Sequence, residues 1–213
     1  MGEVTVILLA IGIIATGYLI GSIPTAYLIM RLFTGQDIRS LGTGNITSTA
    51  VMIHGGKSVG LISLLGEIFK TFLCIYIAYL LVDALWAYLL MLISAAIGQI
   101  WSIWLKGSGG KGQTIFVTGF LVLCPIPFIF AALCFLILVL ITKRVYLSNQ
   151  VFHIATPIML MLTNLFNPAI LGLGEHSWGY SMVGAVFCIL FFIKQHRESD
   201  DIVQSHAWGA YSR

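Results

Sequence analysis

Six long apolar runs, at residues 4–30, 59–82, 85–105, 113–141, 147–166 and 179–193, account for most of this chain. They lie near or beyond the ~20 residues that a helix needs to cross a bilayer, and they predict membrane helices. Short polar segments separate them. Two of these segments, residues 34–60 and 106–112, are rich in glycine.

Charge gives the runs a direction. Arg31, Arg39 and Lys57 flank the first linker, Lys106 and Lys111 the second, Lys143 and Arg144 the third, and Lys194 and Arg197 begin the tail. The remaining connections lack Lys and Arg and carry only Asp83 and Glu175 as charged residues. Basic residues mark cytoplasmic loops, so four polar segments share one face.

The run 113–141 begins and ends at basic segments, and a single crossing would break that rule. As one helix it would be roughly 43 Å long, too long for an untilted span. Pro125 and Pro127, in "CPIP", stand near its middle. Proline removes a backbone donor and disfavours helix in the residue before it. Two shorter helices meeting there restore the alternation. The expected fold is an all-α polytopic membrane protein of about seven transmembrane helices, some short, with the N-terminus outside and the C-terminus cytoplasmic. A five-span chain with a re-entrant element would have the same sidedness; seven is the preferred count.

Composition supports the membrane reading. Of 213 residues, 59% are hydrophobic and 9% charged, against roughly 25% charged in soluble domains. The run 4–30 lacks a basic leader and reads as one retained span, not a cleaved signal. Cys74, Cys124, Cys134 and Cys188 all fall inside apolar runs. Their spacing suits neither a disulfide framework nor a metal site, so they read as packing residues.

The glycine-rich linkers carry the candidate chemistry. The first holds Gly42-Thr43-Gly44-Asn45, then Thr47, Ser48, Thr49 and Gly55-Gly56-Lys57; the second is "KGSGGKG", residues 106–112. Glycine lets a ligand approach the backbone. Successive N–H groups leading into a helix N-terminus attract anions, and lysine adds a mobile ammonium. The plainer reading is tight turns plus lysines that obey the charge rule. Two such segments on one face favour an anion site. It is not a P-loop, because Lys111 is followed by Gly112 and no strand precedes it.

Other features are weaker. Glu67 lies in an apolar run with Lys70 three residues on; such groups are functional or paired, or form a helix-surface pair near the interface. His54, His153 and His176 have no zinc-like spacing. No hydrolase triad is inferable, and paired intramembrane carboxylates of a proton-driven transporter are absent. Trp86, Trp101, Trp104 and Trp178 suit interfacial belts.

"GYLIGSIPTAYLI", "DIRSLGTGN", "GGKSVG", "GQIWSIWLKGSGGKGQT", "KRVYLS" and "KQHRES" occur in that order over about residues 14–202. Together they resemble the acyl-phosphate-dependent glycerol-3-phosphate acyltransferases of bacterial inner membranes. The resemblance implies a single integral membrane acyltransferase-like domain over 1–213, with its active site facing the cytoplasm. It implies transfer of a fatty acyl group from acyl phosphate to the 1-hydroxyl of glycerol 3-phosphate, giving lysophosphatidic acid. It further implies catalytic roles for Thr43, Asn45, Lys111 and His196, and substrate or phosphate binding by Gly42, Gly44, Gly109, Gly110, Gly112 and Ser199. No metal, cofactor or nucleic acid is implied. The partners are the two substrates and membrane lipids, with room for a homo-oligomer.

The chain also departs from the family pattern. Ala50 and Ile53 stand where the family usually has Asn and a phosphate-binding Arg, Gln99 where it has His, and Ser199 where it has Asn. Lysine cannot reproduce a bidentate arginine contact, though Lys57 or Arg39 are candidates to compensate. The alternative function is therefore an impaired paralogue that binds phosphorylated lipid or regulates a partner.

Overall fold

The computed structural model describes residues 2–142, 145–166 and 177–194. Among these the chain is helical, without strands. The helices are α1 (Glu3–Ser22), α2 (Thr25–Thr34), α3 (Ser48–Gly55), α4 (Lys57–Leu81), α5 (Leu85–Ile100), α6 (Gln113–Leu123), α7 (Pro125–Thr142), α8 (Val145–Phe166) and α9 (Ser177–Lys194). Four stretches, Glu3–Thr34, Lys57–Leu81, Leu85–Leu105 and Pro125–Thr142, are long and apolar enough to cross a membrane. Their outward positions include Ile7, Leu8, Phe69, Phe72, Leu140 and Ile141, all exposed. That surface suits lipid, since soluble monomers rarely expose wide apolar patches.

The proline argument holds for 113–141, which parts between Leu123 and Pro125. It applies equally at Pro24, which breaks the run 4–30 into two helices although Glu3–Thr34 remains one candidate span. Pro24 lacks a donor and keeps Ile23 out of helical geometry, so α1 stops at Ser22 and α2 begins at Thr25. Gly35, with φ 71°, ends α2 by donating to Arg31 O, and Arg31 Nη1 donates back to Gly35 O at 2.8 Å.

Cα packing divides the chain into two compact units, one running to Thr118 and the other starting at Gly119. In the first unit α1 and α5 meet at near-backbone contact. A Cβ at Gly17 would strike Ser94 and Met91, one at Gly21 would strike the Ala95 backbone, and one at Gly98 would strike Tyr18 O. Small residues at four-residue spacing let membrane helices approach this closely.

The first linker is more ordered than a loop. Asp37 caps a 3₁₀ turn at Ile38–Ser40, and Thr47 Oγ1 accepts from Ala50 N at 3.1 Å to cap α3, the usual service of such side chains. Ala26, Met30, Ile38, Ile46, Val51 and Leu105 form a small core that ties this linker to the segment just after α5.

The second unit packs through rings. Phe128 and Phe135 meet Phe152 edge-on, and His153 stacks on Phe191 at 3.6 Å. His153 Nδ1 lies 2.9 Å from Asn149 O. His153 is thus a buried core residue. Among the described residues no His, Cys, Asp and Glu cluster could hold a metal.

Candidate active site

The loop after α5 is built by capping. Beyond a second 3₁₀ turn, Ile103–Leu105, Lys106 and Gly107 take positive φ values of 53° and 81°. The chain then folds back on α5. Gly107 N donates to Ser102 O at 2.8 Å, Ser108 N to Leu105 O at 3.0 Å, Gly109 N to Ile100 O at 3.0 Å and Gly110 N to Gln99 O at 2.8 Å. The last two bonds satisfy carbonyls that α5 leaves open at its end. In this arrangement the Gly109 and Gly110 N–H groups cap α5 and do not point at a ligand. Gly112 follows with φ 73°, and its carbonyl accepts from Phe116 N at 3.2 Å in the first turn of α6. The N-terminus of α6 is the part of this loop suited to an anion. Lys106 is exposed, whereas Lys111 is half-buried beside that N-terminus.

The other glycine-rich stretch lies against this loop. Gly44 N donates to Leu41 O at 2.9 Å to close a turn, and Asn45 N reaches Thr43 Oγ1 at 3.4 Å. Thr43 and Asn45 are half-buried. The His54 imidazole from the end of α3 packs on Gly42. A Cβ at Gly110 would come 2.7 Å from Ile46 O, so the loop backbone rests on the residue after Asn45. The segments that carry Thr43, Asn45 and Lys111 therefore meet in the first unit. His196, Arg197 and Ser199 lie outside the described residues.

Beneath the loop sits a buried polar network. Lys70 Nζ is 2.8 Å from Glu67 Oε2, and both side chains are about 5% exposed. The interfacial surface-pair reading of Glu67 and Lys70 is therefore corrected: the pair is internal. Lys70 also donates to Gly21 O at 3.3 Å and Ile23 O at 3.1 Å, the carbonyls freed where α1 breaks. Gln99 Nε2 donates to Glu67 Oε2 at 2.6 Å. A buried pair needs such extra bonds to offset its desolvation. Two buried acceptors, Gln99 Oε1 and Ser22 Oγ, have no hydrogen-bond partner. Sequence alone pairs Glu67 with Lys70 and does not link Glu67 to Gln99. An acid and a base three residues apart in an apolar run was the available signal, but it does not name the third member.

The cations offered as substitutes for the missing arginine stand differently. Arg39 is held by Asp37, Nη2 to Oδ2 at 2.6 Å, with its guanidinium 5.0 Å from the Tyr27 ring centroid. Those Arg39 hydrogen bonds pull the Asp37 carboxyl down to about 2. Lys57 is exposed at the start of α4, and Ile53 is half-buried.

Helical content, lipid-suited exposure and internal charge pairing make the chain an all-helical integral membrane protein. The family model for glycerol-3-phosphate acyltransferase matches residues 11–204, and the chain belongs to that family. It is 33% identical over 184 residues to the glycerol-3-phosphate acyltransferase of Prochlorococcus marinus (strain NATL1A), covering 86% of this chain and 88% of the relative. It is 32% identical over 186 residues to that of Nitrobacter winogradskyi, covering 87% of each. The crystal structure of PlsY (YgiH), an integral membrane glycerol 3-phosphate acyltransferase, in its glycerol 3-phosphate form superposes with a TM-score of 0.73 at 22% identity, covering 87% of this chain and 88% of that one. At that identity the likeness is one of fold.

Proposed function

We propose that this chain transfers a fatty acyl group from acyl phosphate to the 1-hydroxyl of glycerol 3-phosphate, forming lysophosphatidic acid for phospholipid synthesis. The bond between the acyl carbon and the phosphate oxygen breaks, an ester forms at O1 of the glycerol, and inorganic phosphate leaves with the hydroxyl proton. Acyl phosphate is already activated, so positioning and charge neutralisation can carry the rate without an acyl-enzyme. Lys111 and the α6 N-terminus supply positive potential, and Thr43 and Asn45 orient the polar substrate. Gly42 and Gly44 let it approach, while Gly109, Gly110 and Gly112 shape the loop. By the family resemblance, His196 is assigned a role at the reacting hydroxyl and Ser199 a role in substrate binding. Residues 1–213 act as one domain in the bacterial inner membrane, with the basic linkers and the site on the cytoplasmic side.

The observation that carries this reading is the seating of the 109–112 loop on Ile46, directly after the Gly42–Asn45 turn. The test follows phosphate release by purified protein in detergent supplied with acyl phosphate and glycerol 3-phosphate. Turnover is expected, with Lys111→Ala lowering kcat by about 100-fold or more, the scale of a lost charge-stabilising contact. Ile53 and the engagement of Arg39 by Asp37 favour a second reading, a paralogue that binds without turnover. Ligand binding with no phosphate release would select it.

A further inference from the structure

Gln99 has two attachments, one through its backbone and one through its side chain. Its backbone carbonyl accepts from Gly110 N at 2.8 Å, inside the phosphate loop. Its side-chain Nε2 donates at 2.6 Å to Glu67 Oε2 on α4. The stem between them underlies the loop: a Cβ at Gly110 would be 3.8 Å from both Cγ and Nε2 of Gln99. Glu67 is in turn fixed by Lys70, which grips the broken end of α1 through Gly21 O and Ile23 O. A chain of contacts thus runs from the α1 break, through α4 and the end of α5, to the floor of the loop. All of it lies in the first unit.

The network is not what packing alone would select. It buries two charges, which is unfavourable beside an apolar filling of similar volume. A fixed direction for the Gln99 side chain is what the arrangement gains. We propose that Gln99, oriented by the Glu67 carboxylate, is a positioning residue that holds the 109–112 loop at the height where Lys111 and the α6 N-terminus meet a substrate phosphate. The ligand in this statement rests on the acyltransferase reading. The mechanical claim, that the Gln99 amide sets the loop, does not.

The experiment compares wild type, Gln99→Leu and Gln99→His as full chains in detergent. Leucine keeps bulk without a donor; histidine keeps an N–H of similar reach. Hydrogen exchange is followed in a peptide covering residues 106–112, and KM and kcat are measured with each substrate varied in turn. In Gln99→Leu the loop amides are expected to exchange at least fivefold faster. The KM for whichever phosphate the loop receives, the acyl phosphate or the glycerol phosphate, rises by a similar factor, while kcat falls by less than the ~100-fold loss expected on removing Lys111 itself. Gln99→His restores both to within twofold. A purely structural amide would lower the melting temperature without selecting one KM. Unchanged loop exchange in Gln99→Leu, equal changes in both KM values, or no rescue by histidine overturns the proposal. If wild type shows no turnover, the acyltransferase reading fails by itself, and loop exchange with its rescue decides the positioning claim.

Discussion

The two units bury their helices by opposite means. In the first, α1 and α5 touch through Gly17, Gly21 and Gly98, with backbone atoms of one helix where a side chain of the other would stand. In the second, contact is made by rings: Phe128, Phe135 and Phe152, and the His153–Phe191 stack. A backbone contact fixes the separation of two helices with almost no freedom, whereas side chains can repack around a change. The rigid kind of contact occurs in the unit where α5 leads into the glycine-lysine loop. A site that must hold a phosphate within a few tenths of an ångström gains from the less adjustable support.

Replacing Gly98 by leucine should break that support with the largest effect. Its side chain would have to enter the space of Tyr18 O and the Ser22 backbone. The cost should exceed the ~3 kcal/mol at the upper end of ordinary overpacking. The expected outcome is little monodisperse protein in detergent and no resolved melting transition. A variant that melts like wild type would show that α1 and α5 part without penalty, and the contrast between the units would collapse.

Adding a Cβ to a glycine of the second unit should be mild. A Cβ at Gly184 would lie 3.4 Å from Pro157 Cβ and 3.5 Å from Leu160 Cδ1, ordinary contact distances. Alanine also favours helix over glycine by up to ~1 kcal/mol. Gly184→Ala is therefore expected to melt at the wild-type temperature or slightly above it. A clear drop would mean that the ring-packed unit is as intolerant of added volume as the glycine-packed one.

Much of this was readable from residues alone, and the misses have physical causes. Pro125 announces the break after α6 because the charge rule makes one crossing untenable. Pro24 announces a break by the same backbone chemistry, but no charge conflict surrounds it, and the apolar run conceals it. The Gly42–Asn45 turn and the 109–112 loop are recognisable as candidates for one face. What composition cannot convey is where their N–H groups go. Those of Gly44, Gly109 and Gly110 close turns or cap α5, which depends on how the chain doubles back. Glu67 and Lys70 were visible as a pair at i, i+3, yet their burial depends on α1 ending beside them. Gln99 stands where the family usually has histidine, and only the fold reveals the Glu67 carboxylate as its partner.

The smallest expected effect concerns a contact of neither kind, the exposed pair of Asp37 and Arg39 on the glycine-rich linker. Arg39 hydrogen bonds lower the Asp37 carboxyl from 3.8 to about 2. A carboxyl held below its ordinary value stabilises the fold above that ordinary value, and the contribution is lost as pH falls through the folded one. The window is therefore from just under 4 down to about 2. Exposure and salt screening keep such a contribution small. Asp37→Asn should lower the melting temperature slightly at about pH 5, and the difference from wild type should fade as pH falls through that window. It should also shrink at about 1 M salt. A difference that persists at low pH and high salt would show that it does not come from the charge; the cap on the Ile38–Ser40 turn, where Oδ1 accepts from Arg39 N at 3.0 Å, is a separate contribution. An asparagine oxygen can accept that same bond, so Asp37→Ala should then be markedly worse than Asp37→Asn, and comparing the two variants separates charge from capping.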